Sequence, residues 1–433
     1  MSKTFVMQIC LPYKILVYKA GIRNSLKRKG ATMKKMSLRK TGSIFLLILS
    51  IGIVAVGCTK KEEPKESVET TKESVESSSG ETEVQSSRNT EDVIENVDYM
   101  DVVNDDGNIV IENSGYDTLK AVIKEFNIKE AEYKKSKGIG EGSEYDVNTR
   151  VVRADSKVFS IVSEERVYKD LETSSAENKY EFNTINYNSN DGKYLSLSDV
   201  AGEGIYKTLL DELKAAYPNI KFVDDAESKL KEGLLKQGWD SKAAWALSYD
   251  GIIFYIQEEL VSSESKGVLV YSLSFNEHKD LIKQSYASKP ENYIYPIFAD
   301  ANYPIRIGDE IVRFAISTEQ ANEYETTVHM EVAGKKTNPM QYMRAPSNIH
   351  LVNIKGEMFM LMQVPVGDVS YLTDIFKLDK NNGAIELNEV EQSVSEEYIS
   401  NNPLHIKMLM LEGEQVKDEY MEFNVDGTFK KVE

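Results

Sequence analysis

The sequence predicts an α+β domain followed by a mostly antiparallel β domain. Three observations carry this. Helical and alternating apolar periods are interleaved from about residue 99 to 289. Helical periodicity disappears from Pro290 onward. Gly-containing turn signals then punctuate alternating segments to the C-terminus. Ahead of both domains lies a segment with a different chemistry.

Lys34, Lys35, Arg39 and Lys40 precede an apolar run, Ile44 to Val56, that closes on Ala55-Val56-Gly57-Cys58. A basic patch, a short apolar stretch and small residues before a cut are the parts of a secretory signal. With Cys58 directly after the small residues, the arrangement resembles the bacterial lipobox, which implies cleavage before Cys58 and a diacylglycerol on its thiol. The run of about 14 residues is shorter than the ~20 that span a bilayer as a helix. A plain transmembrane anchor and an unlipidated cut after Ala55-Val56-Gly57 are the competing readings. Counting from Met1 gives a signal longer than the usual ~15–30 residues, whereas Met33 gives an ordinary one, so translation is expected to start at Met33. Residues 1–57 thus read as an upstream segment plus signal peptide. Residues 58–433 are expected on the outer face of the cell membrane, exported and lipid-anchored, with no cofactor other than the acyl lipid on Cys58.

Residues 59–98 are rich in Glu, Ser, Thr and Lys and lack aromatics, so they cannot bury enough surface to fold. Lys65-Glu66-Ser67-Val68-Glu69 recurs as Lys72-Glu73-Ser74-Val75-Glu76, but one Val per seven residues makes no coiled-coil seam. With Cys58 this is a disordered acidic linker of mean reach on the order of 35 Å. From Cys58 onward 41 basic residues face 70 acidic ones, a formal charge of −29. That field argues against nucleic acid, whose phosphates need a positive footprint. It suits a basic partner or a neutral ligand. With Cys58 the single cysteine after the cut, no intramolecular disulfide forms.

In the first domain, Leu119, Val122, Ile123 and Phe126 share a helical face. Val147 to Tyr168 alternates around Ala154-Asp155-Ser156, giving two strands, and Tyr180 to Tyr187 gives a third before the Asn190-Asp191-Gly192 turn. Ile205, Leu209, Leu210 and Leu213 form the stripe of a helix ended by Pro218. A second helix, Ala226 to Gln237, is expected to open with Asp224 and Glu227 in a capping box. Trp245 to Tyr255 reads as strand, Asp250-Gly251 turn, strand; Val268 to Phe275 as a strand; His278 to Tyr286 as a short helix. Beyond Pro290, the segments Pro304–Val332, Ile349–Leu387 and Leu404–Val432 repeat a strand–turn–strand theme. They turn at Gly356, Gly383, Gly413 and Gly427, and three such units suit a meander or small sandwich.

Catalytic spacings are missing. His278, His329, His350 and His405 are isolated, and no Gly-x-Ser-x-Gly occurs. Gly138-Ile139-Gly140-Glu141-Gly142 lacks the Lys-Ser/Thr of a phosphate loop, and Asp101–Glu112 puts Val102 where a calcium loop needs its first ligand. No metal site and no enzyme activity are expected. Trp239, Trp245 and Tyr249 cluster in sequence and are the candidate ligand-binding aromatics for a sugar; the competing reading makes them core.

Arg153 to Ser160, Asn186-Tyr187-Asn188, Asp191 to Asp199, Leu247 to Tyr255 and Lys266-Gly267 before the Val268–Phe275 strand resemble the RsiV-like extracellular domain family, over residues of about 110–286. That family includes a lysozyme-binding anti-sigma-factor ectodomain and a domain of PdaC-type peptidoglycan deacetylases. The resemblance implies an RsiV-like antiparallel sheet with helices and at most an envelope-exposed binding role, with a lysozyme-like protein or peptidoglycan as candidate partner; no lysozyme-recognising residue carries over. The family's Gly-Gly-Ala-His segment is replaced by Ser174-Ser175-Ala176-Glu177-Asn178, and no deacetylase metal motif is present. The expected function is therefore a lipid-anchored, non-enzymatic binding protein of the bacterial envelope. The alternatives are a glycan-acting enzyme using unrecognised carboxylates, or a structural adaptor lipoprotein.

Overall fold

The computed structural model describes residues 97–432 apart from short internal stretches at 106–107, 137–142, 170–177, 237, 240, 264–266, 323–324, 366–370, 391, 402–403 and 413–414. Cys58, most of the linker, the Gly138–Gly142 loop, residues 174–177 and the turn at Gly413 lie outside the described residues. All of the description belongs to the compact unit Ser86–Glu433.

The chain begins with a hairpin, β1 (Val102–Asp105) and β2 (Asn108–Ile111), and a helix, α1 (Asp117–Ser136). Three long antiparallel strands follow, β3 (Ser143–Ala154), β4 (Val158–Lys169) and β5 (Asn178–Asn188). Next come the short α2 (Leu197–Val200), then α3 (Ile205–Ala216) and α4 (Ala226–Leu235). Strands β6 (Ala243–Leu247) and β7 (Gly251–Gln257), the turn-length α5 (Glu258–Val261) and β8 (Val268–Ser274) complete the mixed region. The remainder is β: β9 (Tyr293–Ile297), β10 (Ala301–Ile307), β11 (Glu310–Asn322), β12 (Glu325–Val332), β13 (Lys335–Lys336) and β14 (Met340–Tyr342). Then β15 (Asn348–Ile354), β16 (Glu357–Pro365), β17 (Tyr371–Asp379) and β18 (Gly383–Val390) form a meander. Last are β19 (Gln392–Asn401), β20 (Leu404–Glu412), β21 (Gln415–Phe423) and β22 (Phe429–Lys431).

Among the described residues the chain is mostly β, in several antiparallel sheets with few helices. Strands β3–β5 form one sheet, β9 and β15–β18 a second, and β1, β2 and β19–β22 a third. The fourth runs β13-β12-β11-β10-β8-β7-β6, with a single parallel pairing, β8 to β10, at Ala301 opposite Val270. That pairing corrects the expected organisation. The boundary at 289/290 is crossed by one continuous sheet, and β1 from the first region pairs β19 from the second, Val102 opposite Tyr398. The β strands after Pro290 are therefore not a separate meander domain: they are shared among three sheets.

Alternation explains the layers. On β7, Ile252, Phe254 and Ile256 face the helix-side core with Leu209, Leu213, Leu230 and Leu234, while Ile253 and Tyr255 face the central core. A strand covered on both faces reads as a continuous apolar run, as Gly251-Ile252-Ile253-Phe254-Tyr255-Ile256 does. In the three-stranded sheet, Val152, Val162 and Phe182 belong to the central core, and Val151, Phe159 and Ile161 pack with α1. Fully burying Leu119, Ile123 and Phe126 stabilises the α1 contact by roughly 1.5–3 kcal/mol per side chain.

Two local expectations are corrected. Helix α4 opens at Asp225, whose side chain makes no cap hydrogen bond, so the Asp224/Glu227 capping box does not form. His278 to Tyr286 is not an α-helix: single turns end in a short 3-10 segment, Gln284–Tyr286, and Ile282 leaves the turn to bridge Ala201. Buried Arg153 organises this corner. It pairs with Asp155 at 2.6 Å and donates to the carbonyls of Ser248, Tyr286 and Ser288.

Candidate functional site

The stripe that α1 turns inward runs Leu119, Ile123, Phe126 and then Glu130, a carboxylate where helical spacing asks for an apolar residue. Glu130 is 4% exposed. Burial raises its pKa, and hydrogen bonds from Ser163, Thr149 and Trp239 and the charge of Lys134 oppose the rise. Thr149 Oγ1 donates to Glu130 at 3.4 Å and lies 3.0 Å from Ser163 Oγ, so adjacent strands β3 and β4 supply the acid's partners.

One turn further, Tyr133 stacks on Trp239 with ring centroids 4.6 Å apart and planes 4° from parallel. Its hydroxyl donates to buried Glu165 at 2.5 Å. On β5, Asn183, Ile185 and Tyr187 fall on one face by the period of two and look toward α1. Together these residues line a groove of about 420 Å³, closed by Val122 and Phe126 and rimmed by Glu125 and Lys129. Lys129 pairs with Glu125 at 2.6 Å on the exposed rim. Asn183 is 7% exposed, and its Oδ1 has no hydrogen-bond partner among the described residues. A buried amide oxygen without a partner costs about 1–3 kcal/mol, which a ligand bringing a donor would relieve.

Of the three aromatics singled out from sequence, the groove takes Trp239 alone. Trp245 is 2% exposed, with its ring in the helix-side core; its backbone binds Thr184 Oγ1 and Asn186 Nδ2. Tyr249 is 1% exposed in the central core, 4.6 Å from the Tyr293 ring, and its hydroxyl accepts from the Ala154 N–H at 3.1 Å. Neither reaches solvent, because both faces of the β6–β7 hairpin are covered. The sequence reading of those two as ligand-binding residues is corrected to core. Glu130, Tyr133, Asn183 and Tyr187 were not singled out. The available signal was Glu130 standing four residues after Phe126 on the apolar stripe.

A second hollow of about 480 Å³ lies between α3, β8 and β11. Its acids and arginine are partnered, the Tyr271 hydroxyl donating to Glu212 at 2.7 Å and Arg313 binding both Glu277 and the Ser272 carbonyl. His278 Nε2 and Asn302 Oδ1 there have no hydrogen-bond partner among the described residues, and the lining offers no stacked aromatic pair. Among the described residues no three His, Cys, Asp or Glu side chains converge to hold a metal ion. No helix among them is long and apolar enough to cross a membrane. The groove thus offers aromatic faces, an acceptor unpartnered among the described residues and the buried Glu130 carboxylate, with Glu165 reached only through the Tyr133 hydroxyl. That chemistry suits holding a ligand that donates hydrogen bonds.

No protein-family model and no curated protein matches the chain. Four solved chains do. One is the crystal structure of a member of the DUF3298 family from Bacteroides fragilis, 17% identical, with a TM-score of 0.24, the match covering 38% of this chain and 64% of that one. The chain thus spans less than two thirds of that structure's length.

Proposed function

We propose that the protein is a lipid-anchored, non-enzymatic binding protein on the outer face of a bacterial membrane, whose RsiV-like domain recognises a protein or cell-wall ligand through the groove between α1 and β5. The observation that carries the reading is the juxtaposition of the Tyr133–Trp239 stack with the unpartnered Asn183 Oδ1 and buried Glu130. Aromatic faces with a few placed polar groups are the usual furniture of small binding sites. The lipobox-like Ala55-Val56-Gly57-Cys58 and the acidic stalk at 59–98 support a tethered module held at a distance from the membrane.

The protein in detergent, incubated with purified peptidoglycan and separately with hen egg-white lysozyme, tests this. The expected result is saturable binding to one of them, weakened at least tenfold by Trp239→Ala, with no release of soluble muropeptides. Binding to neither overturns the reading. Muropeptide release lost on Glu130→Gln would replace it with the glycan-acting enzyme, since an acid with a raised pKa beside an aromatic platform also suits proton donation.

A further inference from the structure

The inner end of the groove carries acceptors. Among the described residues Asn183 Oδ1 is unpartnered, in a side chain more than nine-tenths buried, and Glu130 belongs to the same lining. Glu165 stands behind Tyr133, joined through the phenol. One donor of the lining, the Trp239 indole, is engaged by Glu130. The lysine at its mouth, Lys129, points to the exposed rim and is held by Glu125. What complements the inner acceptors is a donor with positive charge. Aromatic faces attract a cation by about 0.5–2 kcal/mol, and a charge-assisted hydrogen bond to a carboxylate adds about 1.5–3 kcal/mol. A hydroxyl or amide would satisfy Asn183, whereas an ammonium would also add to the charge of Lys134 in holding Glu130 ionised against its burial.

The occupant's source follows from the rest of the chain. From Cys58 onward the formal charge is −29, a field that gathers basic macromolecules and repels acidic ones. Resting on the reading of the groove as the recognition site, we infer that the groove receives the ε-ammonium of a lysine side chain presented by a basic protein. The aliphatic stem then lies along Val122, Phe126 and Ile185, and the ammonium reaches toward Asn183 Oδ1 and Glu130 beside the Tyr133–Trp239 stack.

The chain has two tryptophans, and Trp245 is sealed in the core, so fluorescence that responds to ligand reports Trp239. The protein in detergent is titrated with Nα-acetyl-lysine N-methylamide and with pentalysine. The Nε-acetylated lysine probe and tetra-N-acetylchitotetraose are the comparison arms. The expected result is a saturable change with the two free-amine probes, absent with Nε-acetyl-lysine, lost in Trp239→Phe and shifted at least tenfold weaker in Glu130→Gln. Asn183→Leu, which removes the acceptor without touching the acid, is expected to weaken binding in the same direction. Equal responses to the free and acetylated probes would overturn the inference. A response to the sugar oligomer alone would overturn it while leaving the groove as a binding site. If no probe responds, and Trp239→Ala also leaves capture of peptidoglycan and lysozyme unchanged, the inference and the reading beneath it both fall.

Discussion

His350 sits at the centre of β15, between Pro296 on β9 and Leu361 on β16, and is 1% exposed. Burial pushes its pKa down from 6.5 to about 3, and the charge of Arg150 pushes the same way. The folded protein therefore refuses a proton that the unfolded chain takes up, so between pH 6.5 and 3 the unfolded state holds more protons. Stability must fall as the pH falls through that window, by about 1.4 kcal/mol per unit. At pH 4.5 the loss amounts to about 2.7 kcal/mol, and at pH 3, where the folded histidine is itself half protonated, to about 4.4 kcal/mol. Every carboxylate also titrates there, so the measurement is a difference. Urea unfolding of the protein and of His350→Asn at pH 7 and pH 4.5 cancels what the two chains share. The protein is expected to lose about 2.7 kcal/mol more than the variant on acidification. Equal losses would refute the argument, because they would mean that His350 protonates as readily folded as unfolded.

Lys289 gives the opposite end of the pH scale. Its burial against the Tyr293 ring lowers its pKa to about 8 despite Asp250 at 3.7 Å, so the folded state gives up its proton before the unfolded one. Stability from this group climbs between pH 8 and 10.5; Lys289→Met should remove that climb and raise stability at pH 7 by up to about 3 kcal/mol, read by urea unfolding. Gly251→Ala should cost about 3 kcal/mol, because a Cβ there would stand 2.2 Å from the Leu273 carbonyl oxygen within a paired strand. Gly202→Ala, whose Cβ meets only ordinary contacts, should fall within about 0.5 kcal/mol of the parent in the same thermal melt. Cys58→Ala should abolish labelling by radioactive palmitate in cells and release the protein or leave its signal uncut; unchanged labelling would remove the anchor from the account.

The local elements were legible where one physical signal dominated. Ala154-Asp155-Ser156 turns β3 into β4, Leu209 and Leu213 bury α3, and the Gly356 and Gly383 turns carry positive φ in their hairpins. What the sequence does not display is assembly. Val102 pairs Tyr398 across almost the whole folded chain, and β8 pairs β10 around the intervening β9; no local pattern encodes either contact. The apparent boundary at Pro290 marks where helices stop, which is a different property from where a core stops. The site was half legible. Trp239 stood out as an aromatic, but its companions were judged by neighbourhood in sequence, and Trp245 and Tyr249 alternate into covered faces. Its true companions come from a helix about a hundred residues upstream and from β5. Glu130 hid because a glutamate in a helical pattern normally signals the solvent side, and its burial is made tolerable by partners distant in sequence, the hydroxyls of Thr149 and Ser163 and the Trp239 indole.

The central claim is that the groove over α1, rather than another surface, is where this protein meets its ligand. The most direct measurement is the dissociation constant for peptidoglycan and for lysozyme, with Tyr133→Ala and Asn183→Leu set beside His278→Ala in the second hollow. At least a tenfold loss of affinity is expected for both groove variants and none for His278→Ala, with circular dichroism unchanged in all three. Binding that survives both groove substitutions, or that is lost with His278 instead, would contradict it.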